Sequence, residues 1–360
     1  MLSAVAFTLV PTVSGAATES PITLAPRSLP GSGGSTRIQV APGRSGRCVV
    51  SITPPAPLHA STFSCQAGMR TSARLPPNLT THTITYRIEV RGAPNGMSRQ
   101  ALINIPPMHR VVLYGNSLSL EAAPYFGAAL RSTRDVVVAA HVYPGVADCS
   151  WYGAMRTDAF FVHPDSVVIQ YTGDRFVPCA KIGGSLETSV REQTETAISI
   201  LKTGGTRHVY LVGKIGAHCP YPLMPKLKCP DPAIPVVNRA LEEAAAHFNR
   251  PRSSLSVVVI HPEVALQTSQ HRYSDHLACT SAEITAAKCV GTPFGRRTNW
   301  VRDIAGLHFC RPSWPVPIPP PGCRRYSSGA YRYGNAMALP VASALGLHIA
   351  PGYLETMKDH

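Results

Sequence analysis

Nowhere in the 360 residues is there a run of about 20 uninterrupted apolar residues, so no membrane-spanning helix is expected. No Cys-x-x-Cys spacing occurs among the ten cysteines, which removes the usual zinc and thiol-redox patterns. Acidic residues are scarce, 20 against 34 Lys and Arg, giving a formal charge of +14 and a pI near 9.5. The basic residues are scattered, and no dense Lys/Arg run tracks a nucleic-acid backbone. Nucleic acid is therefore not an expected partner. An anionic cell-envelope polymer or a membrane surface is the counterpart toward which such a diffuse field leans.

What is present points to an oxidising compartment. The cysteines fall at Cys48, Cys65, Cys149, Cys179, Cys219, Cys229, Cys279, Cys289, Cys310 and Cys323. Disulfides explain an even count best, and pairing in chain order, each cysteine with its neighbour, is the simplest choice. Residues 1–17, ending Val13-Ser14-Gly15-Ala16-Ala17, resemble the apolar core and cleavage site of a secretory signal without its usual basic start. A secreted or extracytoplasmic protein is expected. Residues 18–35 are rich in Ser, Thr, Pro and Gly and read as a flexible linker, so that 1–35 forms a signal-like segment and linker.

From Thr36 the pattern changes. Short alternating runs at 37–40, 48–52, 61–65 and 82–90, separated by Pro and Gly, predict a small all-β domain over 36–107 stapled by Cys48 and Cys65. Asn78-Leu79-Thr80 matches a glycosylation acceptor. Beyond Ile105-Pro106-Pro107 the rhythm becomes strand, helix, strand. Apolar runs at 111–114, 135–142, 166–171, 208–212 and 255–260 are nearly continuous in Val and Ile, as strands covered on both faces are. Helical patterns lie at 118–130, 186–201 and 232–248. Residues 108–350 are thus expected to form a flavodoxin-like, three-layer α/β/α domain with a parallel sheet of about five strands.

The stretch His109-Arg110-Val111-Val112-Leu113-Tyr114-Gly115-Asn116-Ser117-Leu118-Ser119-Leu120 reads as a buried strand, a turn and the first turn of a helix. Ser117 then stands at the carboxyl edge of the sheet, where ligands of such folds bind. The helix amino terminus behind it offers N–H groups and a positive dipole end to an oxyanion. Serine is equally a common helix cap, and this stretch alone leaves both readings open.

Further blocks follow at later strand ends: Tyr143-Pro144-Gly145-Val146, then Gln170-Tyr171-Thr172-Gly173-Asp174, and near the far end Asp303-Ile304-Ala305-Gly306-Leu307-His308-Phe309-Cys310. A serine, a glycine, a polar residue and a histidine in this order resemble the SGNH (GDSL-type) hydrolase family. With Cys149-Ser150-Trp151 and Tyr326-Ser327-Ser328-Gly329-Ala330-Tyr331-Arg332-Tyr333-Gly334, the chain resembles in particular the SGNH domains of actinobacterial acyltransferases. The resemblance covers about residues 108–347. It implies that Ser117 attacks an acyl carbonyl and His308 accepts its proton. The N–H groups of Ser117 and Gly145 and the side chain at 174 would hold the oxyanion. A serine hydroxyl is a poor nucleophile until an imidazole within about 2.6–3.2 Å takes its proton.

Three positions depart from the family pattern. Asn116 replaces an aspartate, a nearly isosteric change. Asp174 replaces the oxyanion-holding asparagine, and an ionised carboxylate has no hydrogen to donate. It donates only if burial keeps it protonated. Ala305 occupies the place of the acid three residues before the histidine, leaving Asp303 as the expected substitute. A Ser–His pair ordered by a backbone carbonyl is the alternative. Two functions follow. One is an exported serine esterase or O-acyl (acetyl) transfer enzyme acting on an acylated sugar of the envelope, or another small ester, through a Ser–His pair. The other is a catalytically weakened SGNH domain that binds a glycan or a partner. No cofactor is implied, and His218, Cys219, Cys229, His271 and His276 match no familiar metal spacing. The loop Trp314-Pro315-Val316-Pro317-Ile318-Pro319-Pro320-Pro321 reads either as a stiff polyproline tie or as a wall beside His308, and Arg324, Arg325 and Arg332 either as steering charges for an anionic substrate or, the commoner case, as solvated arginines.

Overall fold

The computed structural model describes residues 22–40, 46–59, 61–64, 69–92, 98–171, 177–181, 184–216, 231–251, 253–270, 272–303, 308–310, 322–323 and 325–349. The chain divides into two compact units, Met1–Pro106 and Pro107–His360.

In the first unit β1 (Ile22–Ala25), β2 (Gly34–Val40) and β5 (Met69–Leu75) form one antiparallel sheet. In the other, β4 (Thr62–Ser64), β3 (Arg47–Thr53), β6 (Ile84–Gly92) and β7 (Ser98–Ile105) lie side by side in that order. Alternate residues of both sheets, among them Ile38, Leu75, Ile88, Ile103 and Ile105, meet in a single core. The period of two explains this: residues at i and i+2 share a face, so one face is apolar and the other wet. Two expectations are corrected here. The stretch read as linker contains β1, whose Ile22 and Leu24 are buried while Thr23 and Ala25 face out. Four residues of alternation are too few to stand out against a Pro/Gly-rich background. Asn78 is no glycan acceptor, because it is fully buried: its amide donates to the carbonyls of His82 and Ile105, both at 2.8 Å.

The second unit is a three-layer α/β/α sandwich. Its strands are β8 (His109–Gly115), β9 (Val136–Val142), β10 (Ser166–Gln170), β11 (His208–Val212) and β12 (Ser256–Ile260), all parallel. Across the sheet they run β9-β8-β10-β11-β12. Counted within the sheet this is the order 2-1-3-4-5, which reverses direction between the first and third strands. Val111 and Leu113 of β8 face α1 (Ser117–Arg131) and α6 (Ser328–Ala344), the latter following the one-turn α5 (Ser281–Thr285). Val112 and Tyr114 face the side of α2 (Tyr152–Phe161), α3 (Leu186–Thr203) and α4 (Ala233–Phe248). Burial of side chains such as Phe126 on one face and Val190 on the other stabilises the unit by about 1.5–3 kcal/mol per residue. Helices α2 and α6 escape a reading by periodicity: α2 carries polar residues among its apolar ones, and α6 contains Gly334 and Pro340.

Three disulfides pair as expected, Cys149–Cys179, Cys279–Cys289 and Cys310–Cys323. Cys48 is also disulfide-bonded, while Cys65, Cys219 and Cys229 lie outside the described residues. So do residues 1–17, Asp174, Ala305, His218, His271, the 314–321 loop and Arg324. Among the described residues, no helix is long and apolar enough to cross a membrane, and no group of three or more metal-ligating side chains comes together.

Candidate active site

The sheet order defines where to look. Strands β8 and β10 are neighbours whose crossovers leave in opposite directions, which opens a crevice outside their carboxyl ends. Gly115 ends β8, opposite Gln170 of β10 on one side and Val142 of β9 on the other. Asn116 caps α1: its side-chain oxygen accepts the Leu118 N–H at 3.1 Å. The capping role, open from sequence, therefore belongs to Asn116, and Ser117 is the first helical residue, half-buried rather than sealed.

Gln170 pins this turn from the next strand. Its Oε1 accepts the Asn116 N–H at 3.3 Å and the Ser119 hydroxyl at 3.1 Å. Ser119 is thus buried and committed, which separates it from Ser117 two residues earlier. The close approach also requires Gly115, because a Cβ there would lie 2.3 Å from Ser119 Oγ and 2.4 Å from Ser119 Cβ. Gly115→Ala is expected to cost about 1–3 kcal/mol through overpacking of a fixed turn, read as a lowered midpoint of urea unfolding.

Beside the turn, the Tyr143 N–H continues the pairing of β8 and β9 by donating to the Gly115 carbonyl at 3.1 Å. Gly145 follows two residues later with φ +71°, and a Cβ built there meets nothing within 4 Å. Backbone conformation, not crowding, is what favours glycine at this position.

His308 arrives from the far end of the chain and packs on α1. Its Nδ1 lies 3.0 Å from Oε1 of Glu121, while the other carboxylate oxygen accepts the Phe309 N–H at 2.6 Å. An N–H placed on Nδ1 does not aim straight at Oε1, so the contact is an ion pair by distance rather than a linear hydrogen bond. Burial pulls the His308 pKa down, but the Glu121 contact and the negative charges of Glu121 and Asp303 outweigh it. The imidazole ends above its ordinary value despite the opposing Arg302. Asp303, the expected substitute acid, engages the backbone of His308 instead. Its Oδ1 accepts the His308 N–H at 3.2 Å, and its own N–H donates to the His308 carbonyl at 2.7 Å.

The histidine segment is held to α1 at further points. Pro124 has no N–H to give the Leu120 carbonyl, and that carbonyl accepts the Gly322 N–H at 2.7 Å. Gly322 adjoins Cys323, whose disulfide partner Cys310 follows Phe309. The Phe309 carbonyl accepts the Ser327 hydroxyl at 2.7 Å, and Ser327 also caps α6. Arg302 lies over the Phe309 ring at 4.8 Å.

No family model matches the chain, and no curated protein matches it. Solved structures do. It is similar to a lipase/acylhydrolase from Enterococcus faecalis, at 15% identity and a TM-score of 0.39, over 68% of this chain and 99% of that one. It is also similar to a GDSL-like lipase from Bacteroides thetaiotaomicron, at 13% identity and a TM-score of 0.38, over 66% of this chain and 87% of that one. The α/β unit itself is a three-layer sandwich with the parallel strand order β9-β8-β10-β11-β12.

Within this unit, sequence reasoning missed Glu121 and Gln170. The signal for Glu121 was present: a lone carboxylate amid Leu118, Leu120, Ala122 and Ala123, one helical turn beyond Ser117. Arg332, open from sequence to steering or to solvation, does neither: it is consumed structurally by an ion pair to buried Glu283 at 2.7 Å. His276 stacks on Phe294 at 4.1 Å between ring centroids.

Proposed function

We propose that this protein is an exported serine esterase or O-acyl transfer enzyme that removes or moves a small acyl group, acetyl, on an envelope glycan. The observation that carries the reading is His308 held against Glu121, one turn along α1 from Ser117, at the carboxyl edge of the sheet. Residues four apart on a helix are neighbours, about 5–6 Å between Cβ atoms, which supports a ring docked on Glu121 acting at the turn that bears Ser117. Nδ1 faces the carboxylate, and Nε2 is the nitrogen that serves as base.

In the proposed reaction Ser117 Oγ attacks the ester carbonyl carbon as its proton passes to Nε2 of His308. The carbonyl oxygen becomes an oxyanion, met by the N–H groups of Ser117 and Gly145. The tetrahedral species collapses, and the sugar alkoxide leaves with the proton from the imidazolium. Water or a second sugar hydroxyl then repeats the sequence on the acyl-serine, and which acceptor wins depends on how far the cleft excludes water. Disulfides at Cys149–Cys179, Cys279–Cys289 and Cys310–Cys323 support an oxidising, extracytoplasmic setting.

Incubation with p-nitrophenyl acetate and with a serine-directed phosphonate, followed by peptide mapping, tests the reading. Turnover with an adduct on Ser117 is expected; neither turnover nor adduct refutes it. The pH dependence follows with a definite sign. A base must be neutral to act, and His308 has its pKa raised, so kcat/KM is expected to rise with pH through a midpoint above the ordinary histidine value of about 6.5. An acid limb centred below that value would contradict the assignment of His308.

A further inference from the structure

The chain lacks a carboxylate three residues before His308, where Ala305 stands. We propose that Glu121 is the positioning acid for His308, so that the base is oriented from the nucleophile's own helix and not from its own loop. The proposal rests on the Ser117–His308 reading. Both oxygens of the carboxylate are engaged by one segment, Oε1 by the ring and Oε2 by the Phe309 N–H. This two-point grip fixes the side chain, since it cannot swing away from the ring without stripping a buried N–H of its acceptor. Cα–Cβ bonds on a helix tilt toward its amino terminus, so Glu121 leans back toward the turn that carries Ser117.

The charge itself needs an explanation. Glu121 is almost buried, and its neighbours on α1 are chiefly apolar. A buried carboxylate is costly unless it is paired. If capping the Phe309 N–H were the whole task, a neutral amide would serve as well. What the carboxylate adds is a partner for the imidazolium that forms when Ser117 gives up its proton. It also favours a hydrogen on Nδ1, which leaves the Nε2 lone pair free to act. Asp303 and Arg302, the other charged groups acting on His308 among the described residues, push its ionisation in opposite directions. Removal of Glu121 therefore leaves no strong local bias toward the charged ring.

The decisive comparison is between wild type, Glu121→Gln and Glu121→Asp in the full chain. Glutamine keeps an acceptor for the Phe309 N–H and removes only the charge. Three quantities are read: p-nitrophenyl acetate kinetics against pH, the rate of phosphonate labelling at Ser117, and the His308 ring titration by NMR. For Glu121→Gln, kcat is expected to fall about 10²-fold or more with KM little changed. The ring midpoint should drop by about one pH unit and carry the acid limb of kcat/KM with it. Glu121→Asp should keep the wild-type midpoint more closely than Glu121→Gln does. A wild type that turns over and labels, alongside a Glu121→Gln protein of unchanged rate, acid limb and ring titration, overturns the Glu121 assignment alone. A wild type that neither turns over ester nor takes the phosphonate overturns the esterase reading, and the positioning role falls with it. The ring titration needs no activity, so the electrostatic coupling is read in either case.

Discussion

Replacing Ser117 by alanine is expected to remove ester turnover almost entirely, a loss of about 10⁴–10⁶-fold in kcat, with folding intact. Retention of the fold follows from the local structure. Asn116, not Ser117, caps α1, and alanine is the best helix former for an early helical position. The control is Ser119→Ala. Its hydroxyl is buried and donates to Gln170, so its loss costs about 1 kcal/mol of stability through an unmade hydrogen bond. Activity should survive in that variant. Unfolding curves and acetate-ester kinetics on the two proteins separate nucleophile from scaffold. Ser117→Ala with undiminished turnover would place the chemistry elsewhere.

The second large effect is a gain. Asp174 occupies the position where the resembled family uses an asparagine amide, and an ionised carboxylate repels the oxyanion that an amide would hold. One correctly aimed donor contributes about 10²–10³-fold in kcat. Asp174→Asn is therefore expected to raise kcat by about 10²-fold at neutral pH, seen with p-nitrophenyl acetate and with an acetylated sugar. Unchanged or reduced turnover would mean that Asp174 does not face the oxyanion, or already donates as a neutral acid. Ala305→Asp, by contrast, is expected to add little, because Glu121 already occupies Nδ1 of His308. A large gain from Ala305→Asp alone would argue for the weakened binding domain, whose acid had been lost.

Much of this was legible along the chain. Near-continuous apolar runs in 111–114, 166–171 and 208–212, separated by helical stretches, matched strands covered on both faces, the pattern of a parallel sheet. Gly115-Asn116-Ser117 announced a strand-to-helix turn because a glycine and a capping residue were both required there. The weaker segments failed for a physical reason. Strand β1 is four residues of alternation, and α6 is apolar around most of its circumference, so neither has a clear period to read.

Sequence by itself determined the sheet, the turn that carries Ser117 and the presence of a histidine near the far end; which cysteines pair, with chain order only the simplest choice, was decided by the fold. Tertiary structure alone decided which acid meets that histidine. Ion-pair partners are chosen by proximity in space, and Glu121 and His308 stand 187 positions apart, brought together only when the last loop folds back on α1.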